Sequence, residues 1–194
     1  MHGPRIRPVA VDEDSRAVSV QLAAFIADPI TRWLWPDPHE YLAGFPRIVR
    51  GFGGGAFDNG GADVSEGFMG CALWLAPGVY PDEEALGQAL SDSVPEPRRS
   101  EMLSVLEQMG ESHPEETHWH LAIIGVDVAH QGKGVGAALM QERLTKLDAQ
   151  GVHSYLESTN LRNIPFYERH GFQVIREIQV GSSPPMIPML RPPR

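Results

Sequence analysis

The segment that most limits what this chain can fold into is Trp119-His-Leu-Ala-Ile-Ile-Gly-Val126, followed closely by Gln131-Gly-Lys-Gly-Val-Gly136. After its histidine-rich start the first run is apolar on both alternating faces, as in a strand covered on both sides in mid-sheet. The glycines lead straight into Ala137 to Gln150, where Met140, Leu144 and Leu147 recur at helical spacing, and Gly151 ends the helix. Val152 to Glu157 is the next predicted strand. Strand, glycine loop, helix and strand in that order favour a parallel pair joined by a right-handed crossover.

Upstream, Ile6 to Val9 predicts a short strand, followed by a helix capped by Asp12 that carries Val18, Leu22 and Phe25. Ala27 to Pro38 holds three prolines and two tryptophans and is expected to be a loop with large apolar rings. Glu40 to Phe52 predicts a helix, Phe68 to Leu75 a strand, and Glu83 to Leu90 and Arg98 to Met109 two helices of a middle insert. Downstream, Asn163 to Gly171 predicts a short helix with Pro165 in its first turn. Phe172 to Val180 and Met186 to Leu190 are expected to close as a hairpin.

At 194 residues with no linker, repeat or charge block, the chain predicts one α/β domain with a single core. Its 16 basic and 25 acidic side chains give a formal charge of −9, which repels phosphate backbones and anionic lipid and favours a cationic partner. Nucleic acid and membrane surfaces are therefore not expected partners. No apolar run approaches the roughly 20 residues of a bilayer span. The lone Cys71 lies in the apolar run Gly70 to Leu75 and is expected to be a small buried hydrophobe. One cysteine and no signal peptide point to a cytoplasmic protein.

A helix start with glycines suits a pyrophosphate, because unpaired N–H groups face the ligand and no side chain blocks its approach. A nucleoside triphosphatase loop is excluded, since Lys133 is followed by Gly134 where Ser or Thr would hold magnesium. A dinucleotide fingerprint competes: Gly132, Gly134 and Ala137 match its spacing and Glu157 lies twenty positions further on. Too little chain follows Glu157 to complete such a fold. A plain tight turn is a third possibility.

Gln131-Gly-Lys-Gly-Val-Gly136 resembles motif A of the GNAT superfamily of N-acetyltransferases, Gln/Arg-x-x-Gly-x-Gly/Ala. Asn163 and Tyr167, in Asn-x-x-Phe-Tyr, match its motif B. From His118-Trp119 through Phe172 the chain is most similar to the puromycin N-acetyltransferase type, in His-Gln-Gly-Lys-Gly and Arg-Asn-x-Pro-Phe-Tyr-Glu-Arg-x-Gly-Phe. The resemblance implies a mixed α+β sheet of six to seven strands flanked by helices. Residues 1–117 would then supply mainly the acceptor half, and 118–194 the acetyl-CoA half. It also implies acetyl-CoA as cofactor, held by Val126, Asp127 and Val128, by Gln131, Gly132, Lys133, Gly134, Val135 and Gly136, and by Asn163 and Tyr167. A small-molecule amine is the implied acceptor, and a monomer or homodimer the implied assembly.

Acyl transfer to an amine needs a base, an oxyanion site and a proton for the leaving thiolate. Tyr167 is the candidate acid, with packing beside Phe166 as its alternative role. Glu157, at the carboxyl end of an apolar strand, is the first candidate base, with a salt bridge or cap as the alternative. His118 and His120 share a strand face and are alternative or relay bases. No nearby cysteine or carboxylate completes a metal ligand set around them, so no metal is expected. Phe25, Trp33, Trp35 and Tyr41 are candidates for an aromatic acceptor wall alongside Glu157, with plain lid-to-core anchoring as the alternative for Trp33 and Trp35. A nicotinamide-dependent oxidoreductase and a CoA-binding regulatory module without turnover are the competing functions.

Overall fold

A computed structural model describes residues 3–194. One seven-stranded mixed sheet runs through the chain, with the strand order β1-β2-β3-β4-β5-β7-β6. The elements follow as β1 (Ile6–Pro8), α1 (Asp14–Ala24), α2 (Pro29–Leu34), α3 (Pro38–Gly53), α4 (Gly55–Asp58), β2 (Ala62–Ser65), β3 (Gly70–Leu75), α5 (Glu83–Ser93), α6 (Arg98–Glu111), β4 (His118–Val126), α7 (Val135–Gln150), β5 (His153–Ser158), α8 (Ile164–Arg169), β6 (Gln173–Val174) and β7 (Ile187–Arg191).

Alternation along β3 divides the core into two layers. Cys71, Leu73 and Leu75 face a cluster with residues of α1, α2, α3, α5 and α6, whereas Ala72 and Trp74 face one built with α7, α8, β5 and β7. A Cβ at Gly125 would collide with Gln21 and Ala24, so this glycine lets α1 close directly onto β4.

The expected parallel pair is present: β4 and β5 run together from His118 opposite His153 to Leu121 opposite Leu156. Pairing stops there, although β4 continues to Val126 and β5 to Ser158. On its other side, β4 pairs with β3 so that Leu73 faces Ile123 and Trp74 faces Leu121, leaving Ala122 as an extra residue. Such a bulge bends its strand at the point where β4 parts from β5. The gap between the diverging strands opens the functional cavity.

Several local expectations are corrected. Asp12 does not cap α1; Glu13 occupies the cap position, and its carboxylate accepts instead from the Ala10 N–H and pairs with Arg7. The supposed loop 27–38 contains α2, because Asp28 caps it through the Ile30 and Thr31 amides and Pro29 sits in the first turn with φ already helical. Strand β2 was not anticipated: Ala62-Asp-Val-Ser65 is too short to show periodicity and is held by β1 and β3 on either side. The closing hairpin is partial. Gln173–Val174 and the Ile178–Met186 bridge pair with the last strand, which itself inserts between β5 and β6.

Candidate active site

Both glycines that open the loop before α7 take left-handed backbone, Gly132 at φ 72° and Gly134 at φ 81°. Side chains avoid that region, so glycine here is a steric requirement. Ala138 makes the first helical bond to the Gly134 carbonyl, which leaves the Val135, Gly136 and Ala137 amides ahead of the ladder. A Cβ on Gly132 or Gly134 would meet nothing within 4 Å, so the space before this 16-residue helix is open. Gln131 donates from Nε2 to the Val126 carbonyl, tying the loop to the end of β4, while Lys133 Nζ bonds the Ala129 carbonyl.

A cavity of about 810 Å³ begins at this loop and runs between the diverging strands into the α1–α6 layer. Val126, Val128, Gln131, Gly132, Gly134, Val135, Gly136, Asn163 and Tyr167 line its loop end, and Asp127 and Lys133 lie outside the lining. Glu157 sits at the back, and Phe25, Trp35, Phe45, Phe52, Leu90 and Met102 are among the residues forming a mainly apolar lobe. Such a size and character suit a small organic ligand with a few fixed polar contacts.

Trp33 and Tyr41, placed in the acceptor wall from sequence, do not line this cavity. Tyr41 is fully buried, donating its hydroxyl to the Leu22 carbonyl, and Trp33 turns its Nε1 outward to Ser182 Oγ. They are lid-to-core anchors. Trp35 does reach the lining, held by a bond from Nε1 to the Ser93 carbonyl.

Tyr167 lies among the core side chains, and its ring packs against Phe166 and Phe172. Burial, reinforced by the Asp28 charge, pushes its phenol well above the usual tyrosine range. The group stays protonated across ordinary pH.

The parallel register sets His120 beside Tyr155, and Glu157 follows two residues on, on the same face. His120 Nε2 lies 2.7 Å from Glu157 Oε2, and the carboxylate is almost wholly buried. Burial, the largest single influence, acts to raise the Glu157 pKa, but the charge and hydrogen bond of His120, together with His113 and the Tyr155 hydroxyl, hold the carboxyl below its ordinary value. Glu157 Oε1 has no hydrogen-bond partner.

The expectation that no carboxylate lies near the histidines is overturned, because strand pairing joins residues 37 apart in sequence. His113, overlooked in the sequence, approaches from the α6–β4 connection with Nε2 3.6 Å from Glu157 Oε1. Its neighbour His118 lies outside the cavity lining, 3.3 Å away. Burial lowers the pKa of His113 to about 4 and lowers that of His118 as well. The readable signal for this cluster was the spacing His113, His118, His120.

Asp28 was also missed. It lines the cavity, accepts from the Ile30 and Thr31 amides and from the Thr159 hydroxyl, and is pushed up to about 6 by burial. Its signal was the Asp-Pro pair, a helix-cap signature.

The Acetyltransferase (GNAT) family matches residues 28–172, and the chain belongs to it. An uncharacterized N-acetyltransferase of Schizosaccharomyces pombe is 25% identical over 205 residues, covering 93% of this chain and 79% of that protein. A Corynebacterium glutamicum structure, described as histone acetyltransferase HPA2 and related acetyltransferase, superposes with TM-score 0.71 at 23% identity, over 100% of this chain and 98% of that one. Arylalkylamine N-acetyltransferase 2 of Aedes aegypti has the same fold at TM-score 0.68 and 11% identity, with both chains covered fully. Membership in an acetyltransferase family sets aside the regulatory module without turnover. The oxidoreductase alternative fails on topology: β4–β5 is the one parallel pair among the described residues, and Glu157 is engaged by His120.

No helix among the described residues is long and apolar enough to cross a membrane.

Proposed function

We propose that this chain is an acetyl-CoA-dependent N-acetyltransferase whose acceptor is a small, largely apolar or aromatic primary amine. One observation carries this reading: a single cavity joins the open helix start at Gly134 to Glu157 and Tyr167 through the gap between β4 and β5. Acetyl-CoA, when bound, supplies the activated acetyl group. The loop amides and the α7 terminus fit its pyrophosphate, since the space that a side chain would take at Gly132 and Gly134 is open.

The chain's own groups divide the remaining work. Glu157, anionic with Oε1 unpaired, accepts the amine proton, and His120 holds that carboxylate in place. Backbone left unpaired where β4 parts from β5 faces the acetyl position and offers an oxyanion site. Tyr167, kept protonated by its burial, donates to the departing thiolate. Asp28 and Glu157, the two carboxylates of the lining, draw in an ammonium group, and the apolar lobe receives its substituent.

Aromatic amines, including the aminonucleoside class to which the C-terminal motifs point, head the acceptor panel. The proposed organisation is one domain, with an acceptor half in residues 1–117 and a donor half in 118–194, acting in the cytoplasm as monomer or homodimer.

Thermal stabilisation by acetyl-CoA, CoA and NAD side by side tests the donor, followed by an amine panel monitored through CoA release. A ligand at 100 times its Kd adds about 2.7 kcal/mol to native stability. A response to acetyl-CoA and CoA but not NAD is expected. Stabilisation by NAD alone would overturn the proposal.

A further inference from the structure

The cluster behind the cavity has an unusual hydrogen-bond order. His118 Nδ1 lies 2.8 Å from the Glu116 carbonyl, which can only accept, so that nitrogen carries the proton. In the neutral ring His118 Nε2 is then an acceptor, and the contact at 3.3 Å requires His113 Nδ1 to donate. The remaining nitrogen of neutral His113, Nε2, therefore turns a lone pair toward Glu157 Oε1 at 3.6 Å, an oxygen that no described residue bonds at ordinary length, although the Tyr155 hydroxyl is near enough to lower the carboxyl's pKa. One acceptor on the buried carboxylate confronts another on the partly exposed His113 ring, an arrangement that a cation resolves.

We infer that His113, His120 and Glu157 form a binding site for a divalent transition-metal ion of the zinc class. Their ligand atoms all lie within 4.8 Å of one another, so each can reach one central ion through small side-chain rotations. Two imidazoles and a carboxylate are a set that zinc takes in tetrahedral sites, with the fourth position left for water or a ligand. Here Glu157 borders the cavity while His113 and His120 lie outside its lining, so the carboxylate is the ligand through which the site meets the acceptor lobe. His118, bonded to the far nitrogen of His113 and itself anchored on a carbonyl, is the outer support that fixes a ligating imidazole in one tautomer. For His120 to ligate through Nε2, that nitrogen gives up its proton to solvent, and the bond to Glu157 is exchanged for the ion. Glu157 then has no free electron pair for the amine proton, and the ion inhibits acyl transfer. Only this inhibitory consequence rests on the proposed function; the site itself does not.

Equilibrium dialysis of the chelator-treated full chain against zinc chloride, without acyl donor or amine, tests the site directly. Saturation with Co2+ gives a second readout through the visible bands of a tetrahedral ion. One ion per chain is expected. His113→Ala should weaken binding by more than about tenfold, and His118→Gln by about tenfold, through loss of the supporting bond. Circular dichroism establishes that each variant is folded, and His118→Gln, which keeps all three ligands, serves should His113→Ala fail to fold. Absence of stoichiometric zinc, or a folded His113→Ala (or, where that variant does not fold, a folded His118→Gln) that binds like the parent, would refute the site. Either result stands whether or not the chain acetylates an amine.

Discussion

Replacing Asp28 by asparagine should stabilise this protein at neutral pH and leave it unchanged in acid. The Asp28 side chain is buried, and burial raises its pKa from 3.8 to about 6, against the smaller opposing pull of the Thr159 hydroxyl and the Thr31 and Ile30 amides. A folded pKa above the unfolded one means that the native state binds the proton more tightly. The associated stability is full below about pH 4, is lost as pH rises through about 6, and leaves a constant penalty above that. At 1.36 kcal/mol per unit, a rise of about two units corresponds to about 3 kcal/mol. Asparagine retains the oxygen that accepts from the Ile30 and Thr31 amides, so the cap of α2 survives. Its amide faces the Thr159 hydroxyl, which can accept as well as donate. Urea unfolding at about pH 4 and about pH 7.5 reads the difference directly. With a slope of about 3 kcal/mol per molar, the midpoint of Asp28→Asn should rise by about 1 M at the higher pH and by nothing at the lower. A variant no more stable than the parent at pH 7.5, or a gain equal at both pH values, would refute this account.

The phenol of Tyr167 should matter to rate far more than to stability, because no hydrogen bond from a protein group holds its hydroxyl. Tyr167→Phe is expected to lower kcat by about 10²–10⁴ while unfolding free energy moves by under about 0.5 kcal/mol, as steady-state kinetics and urea titration together would show. Gly134→Ala forces a side chain onto φ 81° at the start of α7 and should cost about 1–2 kcal/mol while raising KM for acetyl-CoA; unchanged KM would remove the loop from donor binding. The ion pair of Arg143 with Asp63, at 2.7 Å and almost fully buried, tethers α7 to β2. Arg143→Ala leaves Asp63 buried without its cation and should destabilise by about 3–5 kcal/mol in urea, with a loss under 1 kcal/mol counting against that account.

What could be read from the sequence depended on how local the determinant is. The β4, glycine loop, α7 and β5 order was legible because buried strands, left-handed glycines and helical spacing are each written within a few residues. Gly132 and Gly134 do adopt the backbone that only glycine takes easily. Helix α2 was legible in principle, through Asp28 and Pro29, but proline content outweighed the cap signature. Strand β2 owes its existence to partners on both sides, a property no four-residue stretch displays. The aromatic wall failed in part for the same reason: Trp33, Trp35 and Tyr41 are equally apolar in sequence, and only packing decides which ring reaches a cavity. The meeting of His113, His120 and Glu157 is wholly tertiary, set by the register of a parallel pair and by the connection after α6.

Four features that burden the fold border one cavity. Asp28 keeps a carboxylate where burial opposes ionisation, and Glu157 holds a buried charge with one oxygen unpaired. Tyr167 occupies core space with a hydroxyl that bonds no protein group, and β4 gives up its pairing with β5 after Leu121. Each departs from the rule that buried polar groups are satisfied and strands paired. Away from the cavity the departures are fewer in kind: Gln21 sends its amide to the Cys71 carbonyl but leaves Oε1 unpaired, and Trp74 Nε1 and Ser154 Oγ are also unpaired. What sets the four at the cavity apart is that they combine ionisable groups with an unpaired strand beside one ligand-sized space, which marks them as stability given up for chemistry. The Asp28→Asn and Tyr167→Phe variants separate these costs: the first recovers stability that the wild-type carboxylate forgoes, and the second shows a group whose retention stability does not require.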